Sequence, residues 1–429
     1  MAAVLMLAVF LVCIFLTVPI GVSMVLGAAA PVAVMGQGGS MEQIINNTFS
    51  GANSTPILAI PLFILAGILM AEGGISGRLF NFFAYFVGRF RGGLPCAAII
   101  TCLFYGAISG SGPATTAAVG SMVIPFLTGL GYDKKWCAGL VSVAGGLGVI
   151  IPPSIPFVLY ALATGVSTGE LFIGGVIPGV LIAVFLMVYA VAYCSRRGED
   201  RGRIDAKLEE LYKKGFAALL RESFWALLCP VIVLGGIYSG RFTPTEAATV
   251  SVLYALVVSL FIYRSVSLRD IPRLLVSTVR TYAPLAFVLA FATAFGRVLS
   301  LIRATKAVES FILGGFGSGA AVLSALVLLF LLLGMVMDTG PAIVILAPVF
   351  LPAVRALGVG EVHFGVVLVC CLSIGLATPP FGLDLFVAAK LSDEQPMAVA
   401  KSALGFVAAF LAALLLITYI PGLSTALLA

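Results

Sequence analysis

The chain has 429 residues, 61% hydrophobic and only 10% charged, with a mean hydropathy of +1.18. A water-soluble domain shows far more charge on its surface, and an outer-membrane barrel is built from short alternating segments, so both classes are excluded. The net charge of +6 forms no patch suited to nucleic acid, and one histidine, His363, cannot build a metal centre or a haem pair.

In chain order, the first half predicts five membrane crossings at 2–19, 20–36, 56–73, 134–165 and 170–194. The first Lys or Arg is Arg78, so the N-terminus lacks the basic stretch of a cleavable signal. Stretches 40–53 and 75–92 are amphipathic and are expected to lie along the membrane surface. The segment 94–130 follows 75–92. Its centre, FYGAISGSGPATT at 104–116, crowds Gly, Ser, Thr and Pro into apolar sequence. A charged linker, 195–222, joins the halves and reads as a solvated helix or loop. The second half predicts 221–239, 244–263, an amphipathic stretch 268–281, then 282–302, 318–355, 361–390 and 396–420. The eight cysteines lie in or beside apolar segments without CxxC spacing and read as small buried hydrophobes.

The halves rhyme. LLGMVMDTGPAIV at 332–344 matches 104–116 at an offset of 228, pairing Gly106 with Gly334 and Ser111 with Thr339. GGLGVIIPPS at 145–154 matches SIGLATPPFG at 373–382 at an offset of 227, pairing Gly148 with Gly375 and the two Pro-Pro steps. A lone Gly-Ser-Gly-Pro in a membrane helix is ordinarily a kink. Four breaks at paired positions point instead to the discontinuous helices of a transporter's binding site. Non-helical backbone at membrane depth must be buried in protein or line a wet cavity, so the freed carbonyls and nearby hydroxyls make a hard-oxygen cage suited to Na+.

Charge sets the topology. If 94–130 and 318–355 are re-entrant hairpins and both termini lie outside, 19 of the 24 Lys and Arg fall on the cytoplasmic side. Arg241, Arg297, Arg303, Lys306 and Arg355 fall outside. Full crossings would put the basic stretches 75–91 and 196–221 on opposite sides. The expected fold is therefore an all-α polytopic membrane protein of two inverted repeats, 1–194 and 223–429, joined by a cytoplasmic linker at 195–222. Each repeat carries one hairpin and one broken helix, 134–165 or 361–390. Asp338 is the one carboxylate at a hairpin tip and reads as a sodium ligand. Asp384, just past the second Pro-Pro, is a weaker candidate to face the cavity. Glu42, Glu72, Glu170 and Glu246 sit at span ends, where capping or interfacial solvation is the simpler role.

GAISGSGPATTAAVGSMVIP, GGLGVIIPPSIP, GMVMDTGPAIVILAPVFLP and GLATPPFGLDLF together resemble the large membrane subunit of the tripartite ATP-independent periplasmic (TRAP) transporters, over essentially the whole chain. The resemblance implies a non-enzymatic, sodium-coupled elevator in a bacterial inner membrane, surrounded by lipid, with periplasmic termini. It implies a soluble periplasmic binding protein that delivers a small organic acid, such as a C4-dicarboxylate or sialic acid. It also implies a small four-helix membrane subunit, expected as a separate chain because no four-span segment precedes Met1. It implies at least two Na+ sites. The first would use Ser109, Ser111, Gly148, Ile151 and Pro153; the second Asp338, Thr339, Gly375 and Thr378. Substrate would lie near Ser111, Thr115, Ser154 and Thr339. The alternative reading is a stand-alone Na+- or H+-coupled carboxylate symporter without a binding protein.

Overall fold

A computed structural model describes residues 1–304, 306 and 319–428. Ser318, the first residue of the expected second hairpin, and Ala429, the last of the second repeat, lie outside the described residues, as do 305 and 307–317. The described residues contain helices and no strand. The first half runs α1 (Ala2–Phe15), α2 (Ile20–Met35), α3 (Met41–Ala52), α4 (Ala59–Glu72), α5 (Ile75–Val87), α6 (Gly93–Ser109), α7 (Gly112–Gly129), α8 (Lys134–Gly145), α9 (Ile155–Thr164) and α10 (Thr168–Arg197). After α11 (Arg201–Lys214) come α12 (Phe216–Tyr238), α13 (Pro244–Val257), α14 (Ile271–Leu301), α15 (Gly319–Gly334), α16 (Thr339–Ala356), α17 (Glu361–Gly375), α18 (Leu383–Leu391), α19 (Pro396–Tyr419) and α20 (Gly422–Thr425).

Local sequence accounts for many of the helix ends. Ser40 with Gln43 and Thr243 with Glu246 form capping boxes, each side chain satisfying a backbone N–H that the first turn leaves open. Pro244 occupies the first turn of α13, where a missing N–H costs nothing. Glu246 is thus a capping residue. Among the described residues six helices are long and apolar enough to cross a membrane, or seven if α4 and α5, bent by 69°, count as one span.

Three sequence expectations need adjustment. The first two crossings, 2–19 and 20–36, are helices of only 14 and 16 residues, interrupted at Thr17 and Pro19 and ended by Gly36 at φ 62°. The stretches 268–281 and 282–302 are one continuous helix, α14, of 31 residues; Pro284 lies inside it without ending it. The linker is anchored as well as solvated. Glu199 accepts hydrogen bonds from the Gly92 N–H (3.0 Å) and the Tyr132 hydroxyl, and pairs with Arg201 at 2.8 Å. Gly92 and Tyr132 flank α6 and α7, so one nearly buried carboxylate ties together both feet of that helix pair.

α6 and α7 pack side by side across a two-residue tip, Gly110 and Ser111, as an antiparallel hairpin. Their 17 and 18 residues, at about 1.5 Å each, reach about 26 Å, short of a ~30 Å hydrocarbon core. Gly110 has φ 62°, and a Cβ there would lie 2.9 Å from the Pro153 carbonyl oxygen, so the tip requires glycine on two counts. α15 and α16 repeat the arrangement around 335–338.

Each tip is held by the break of its own half. A Cβ on Gly106 would meet the Gly148 Cα at 2.7 Å, and one on Gly375 would meet Gly334 backbone at 2.3 Å. These are repeat-related contacts made by repeat-related glycines. Beyond the breaks the partners cross over: α9 packs on α16, and α18 packs on α7. Where the halves meet, the Ser373 hydroxyl donates to the Gly146 carbonyl at 2.8 Å, although these positions are counterparts at the 227 offset. A second, smaller core gathers Met6, Phe10, Met24, Ala28, Ile44, Phe295 and Val298, joining α1, α2 and α3 to α14, with Ile345 and Val349 of α16 packed against it.

Lipid is as apolar as leucine, so helix association here depends on close packing of small residues. Gly106→Ala and Gly375→Ala are expected to destabilise the protein by about 1–3 kcal/mol through forced backbone shifts. Gly129→Ala, where nothing lies within 4 Å of the added atom, is expected to leave stability unchanged. Thermal unfolding in detergent checks the contrast.

Candidate substrate and cation site

The two tips share a cavity of about 1030 Å³, the upper end of small-ligand sites. One wall carries Ser109, Gly110, Ser111 and Pro113 from the first tip and Asp338, Thr339 and Gly340 from the second; Val149 and Ile155 join them from the first break. The opposite wall is α4, through Ile64, Gly67 and Ile68, and α14, through Pro284, Phe287 and Phe291. Gly67 lets α4 approach the tip, because a Cβ there would lie 3.0 Å from the Ser109 Cα. Pro19–Val22, Glu72 and Thr281 line one end. Among the described residues no Lys, Arg or His lines the cavity. The favourable elements for an anion are instead the N-terminal ends of α7 and α16, whose first turns face it.

The first tip and break bring their oxygens together. Thr115 donates its hydroxyl to the Ser111 carbonyl at 2.8 Å and lies 2.8 Å from the Ser109 hydroxyl. Gly148 packs beneath them: a Cβ there would lie 2.4 Å from Thr115 Oγ1 and 2.7 Å from the Ser111 carbonyl oxygen. The Ile155 N–H donates to the Gly110 carbonyl at 3.3 Å, and the Pro153 carbonyl approaches Gly110, which fixes the end of the break against the tip. Ile151 remains inside the break, with its N–H on the Leu147 carbonyl and its side chain against Gly179.

The second set is more spread out. Asp338 caps α16, accepting from the Thr339 N–H at 2.7 Å, and both residues face the cavity. Gly375 meets Gly334 at the end of α15, and the Phe381 N–H donates to the Met335 carbonyl at 3.1 Å. The Thr378 hydroxyl turns back onto the Gly375 carbonyl at 3.0 Å. Gly375 and Thr378 thus engage the α15 side of the tip, whereas Asp338 and Thr339 occupy the cavity side.

Two expected substrate residues are not in the lining. Ser154 is buried, donates to the Val149 carbonyl and caps α9. Thr115 is buried beneath Ser109 and Ser111. Ser111 and Thr339 do line the cavity. Asp384 does not; it is fully buried behind the tips, facing Gly112 and Thr116 of α7. Sequence placed Asp384 near the site but gave no signal for its partner, because Thr116 belongs to the other half of the chain.

Residues 7–423 match the family described as tripartite ATP-independent periplasmic transporter, DctM component. The chain belongs to that family. It is 39% identical over 388 residues to the C4-dicarboxylate TRAP transporter large permease protein DctM of Pseudomonas aeruginosa, covering 90% of each chain. It is 33% identical over 380 residues to the sialic acid TRAP transporter large permease protein SiaM of Vibrio cholerae, covering 89% of this chain and 87% of that one. The isethionate TRAP transporter permease protein DctMQ of Oleidesulfovibrio alaskensis is 39% identical over 411 residues, 96% of this chain but only 64% of its own length. Among solved structures, Neisseria gonorrhoeae MtrF, titled as one of a class of antimetabolite efflux pumps, shares the fold with a TM-score of 0.62 at 13% identity. That match covers 89% of this chain and 85% of MtrF.

The protein is thus the large permease component of a TRAP transporter, a multi-pass helical membrane protein rather than an enzyme. In this permease Asp338 has two separable properties, a helix cap and a charge facing the cavity. Asp338→Ala is expected to lower stability by about 1 kcal/mol through loss of the cap, while Asp338→Asn keeps an acceptor and stays within a few tenths of wild type. Melting of the purified permease in sodium-free buffer measures the difference.

Proposed function

We propose that this permease imports a small organic acid, such as a C4-dicarboxylate, sialic acid or related carboxylate, by sodium-coupled elevator movement across the bacterial inner membrane. The observation that carries the reading is a cavity bounded by two repeat-related tips, rich in hydroxyls and helix N-termini and lined by no basic side chain among the described residues. An organic anion entering it needs positive charge from elsewhere. Cations held at the tips would supply that charge and couple its uptake to the sodium gradient.

In this proposal the halves are inverted repeats and the hairpins re-entrant. At the first sodium site Ser109 and Ser111 offer hydroxyl and carbonyl oxygens, and Gly148, Ile151 and Pro153 offer carbonyls. At the second, Asp338, Thr339, Gly375 and Thr378 do so. Ser111 and Thr339, which lie in the lining, are the proposed direct substrate contacts; Thr115 and Ser154 support them from behind. The hairpins, α8, α9, α17 and α18 form the moving body. The α1–α3–α14 core belongs to the stationary part, and Ile345 and Val349 of α16 lie at the face along which the moving body slides. With both termini periplasmic, the lining residues Pro19–Val22, Glu72 and Thr281 fall toward the side assigned to the cytoplasm by charge. A small membrane subunit and a periplasmic binding protein, which the words tripartite, periplasmic and large permease in the family and relatives' names imply, complete the transporter.

Reconstitution with those two partners in liposomes tests this. Uptake of the cognate acid is expected to require an inward sodium gradient and the binding protein. Uptake by the permease alone would identify a stand-alone symporter. Asp338→Asn is expected to reduce sodium-driven uptake by at least tenfold while the protein still inserts, whereas Ser111→Ala, which removes one oxygen of several, raises the sodium requirement less. Unchanged sodium dependence in Asp338→Asn contradicts its role as a ligand.

A further inference from the structure

We infer that Asp384 and Thr116 form a third monovalent-cation site, for Na+, lying behind the tips and bridging the two halves of the chain; this rests on the sodium-coupled reading above. Asp384 sits in the first turn of α18 with no exposed surface, and neither of its carboxylate oxygens has a hydrogen-bond partner. Thr116, on the second turn of α7, is equally buried, and its hydroxyl oxygen is also unpartnered. The two side chains face each other without closing a well-formed hydrogen bond. Three buried oxygens therefore face one another, with the Thr116 hydroxyl as a donor and the Cys102 thiol also near Asp384.

Glycines let these oxygens pack directly against helix backbone. A Cβ on Gly112 would stand 2.9 Å from Asp384 Oδ2, and one on Gly145 would stand 1.8 Å from Thr116 Oγ1. Alanine at either position would press on the oxygens from one side.

The packing itself does not call for a carboxylate, and the other half of the chain supplies the comparison. α18 on α7 is mirrored by α9 on α16. At the repeat offsets, Asp384 corresponds to Phe157 and Thr116 to Val344, both buried. The same helix contact is thus built once from apolar side chains and once around a carboxylate. An unpaired buried charge is strongly destabilising, so the carboxyl must be neutralised by a proton or balanced by a cation, and a cation competing with that proton is the inferred occupant.

The donor set selects the ion. Carboxylate and hydroxyl oxygens are hard ligands, which rules against copper or zinc. One carboxylate balances one positive charge, whereas calcium sites gather several carboxylates. Asp338 lies within electrostatic reach of Asp384, so this site and the second tip are electrostatically coupled. Because Asp384 belongs to the second half and Thr116 to the first hairpin, the ion would clamp the two halves of the moving body to each other.

The test is a thermal-shift titration with NaCl, at constant ionic strength in choline chloride, on the purified permease with its small subunit. Wild type is expected to be stabilised by Na+. Asp384→Asn, an isosteric change that removes the charge, is expected to raise the half-saturating sodium concentration roughly tenfold, the scale on which support of a metal ligand is lost. Thr116→Val, isosteric without the hydroxyl, is expected to raise it severalfold and serves if Asp384→Asn does not fold. A wild type indifferent to Na+ overturns the sodium-coupled reading. A wild type that responds, with either folded variant giving an unchanged midpoint, overturns this third site alone.

Discussion

Every peptide group that leaves helical geometry at membrane depth must find a partner other than lipid, because hydrocarbon offers none. This permease breaks its helices at both hairpin tips and at both Pro-Pro steps, and the rest of the architecture follows from meeting that demand. Glycine is the main device. Gly106 against Gly148 and Gly334 against Gly375 bring backbone within direct contact, so tip and break are buried against each other. The oxygens of Ser109, Ser111 and Thr115 hydrogen-bond to one another there, with the Pro153 carbonyl close to Gly110, so the polar atoms gather in one place instead of scattering along the helices.

The same demand relates stability to transport. A membrane protein gains little from moving leucine out of lipid, so its helices are held by close contact and by polar links such as Ser373 to Gly146. In the hairpin region these links lie inside the body that carries the cavity, where α9 on α16 and α18 on α7 cross between the halves. The α1–α3–α14 core is a second apolar cluster, which Ile345 and Val349 of α16 join from the hairpin side.

Much of this was legible in the sequence. The repeat offsets of 228 and 227, the small polar runs at 104–116 and 332–344 and the paired prolines located the tips and breaks, because glycine, proline and hydroxyls are scarce in an ordinary apolar span. The continuity of α14 was not legible. The change from charged to apolar composition near 282 marks where the helix changes surroundings, not where its hydrogen bonding ends, and Pro284 was absorbed within it. Long-range polar contacts were also hidden. Glu199 looked like one more charge in a solvated linker, but its partners Gly92 and Tyr132 lie far away in sequence. Ser154 and Thr115 carried the right chemistry for a lining position, yet local capping and hydroxyl pairing turned them inward.

In the proposed mechanism the two tip-and-break junctions hold sodium beside one substrate cavity. An experimental density map of the complete transporter, determined once in NaCl and once in choline chloride, tests it most directly. The expected result is a compact density among the oxygens of Ser109, Ser111 and Gly148, and another near Gly375 and Thr378, each present only with sodium. Identical maps in the two salts, with the carbonyls at both breaks closed onto protein partners, would contradict the claim.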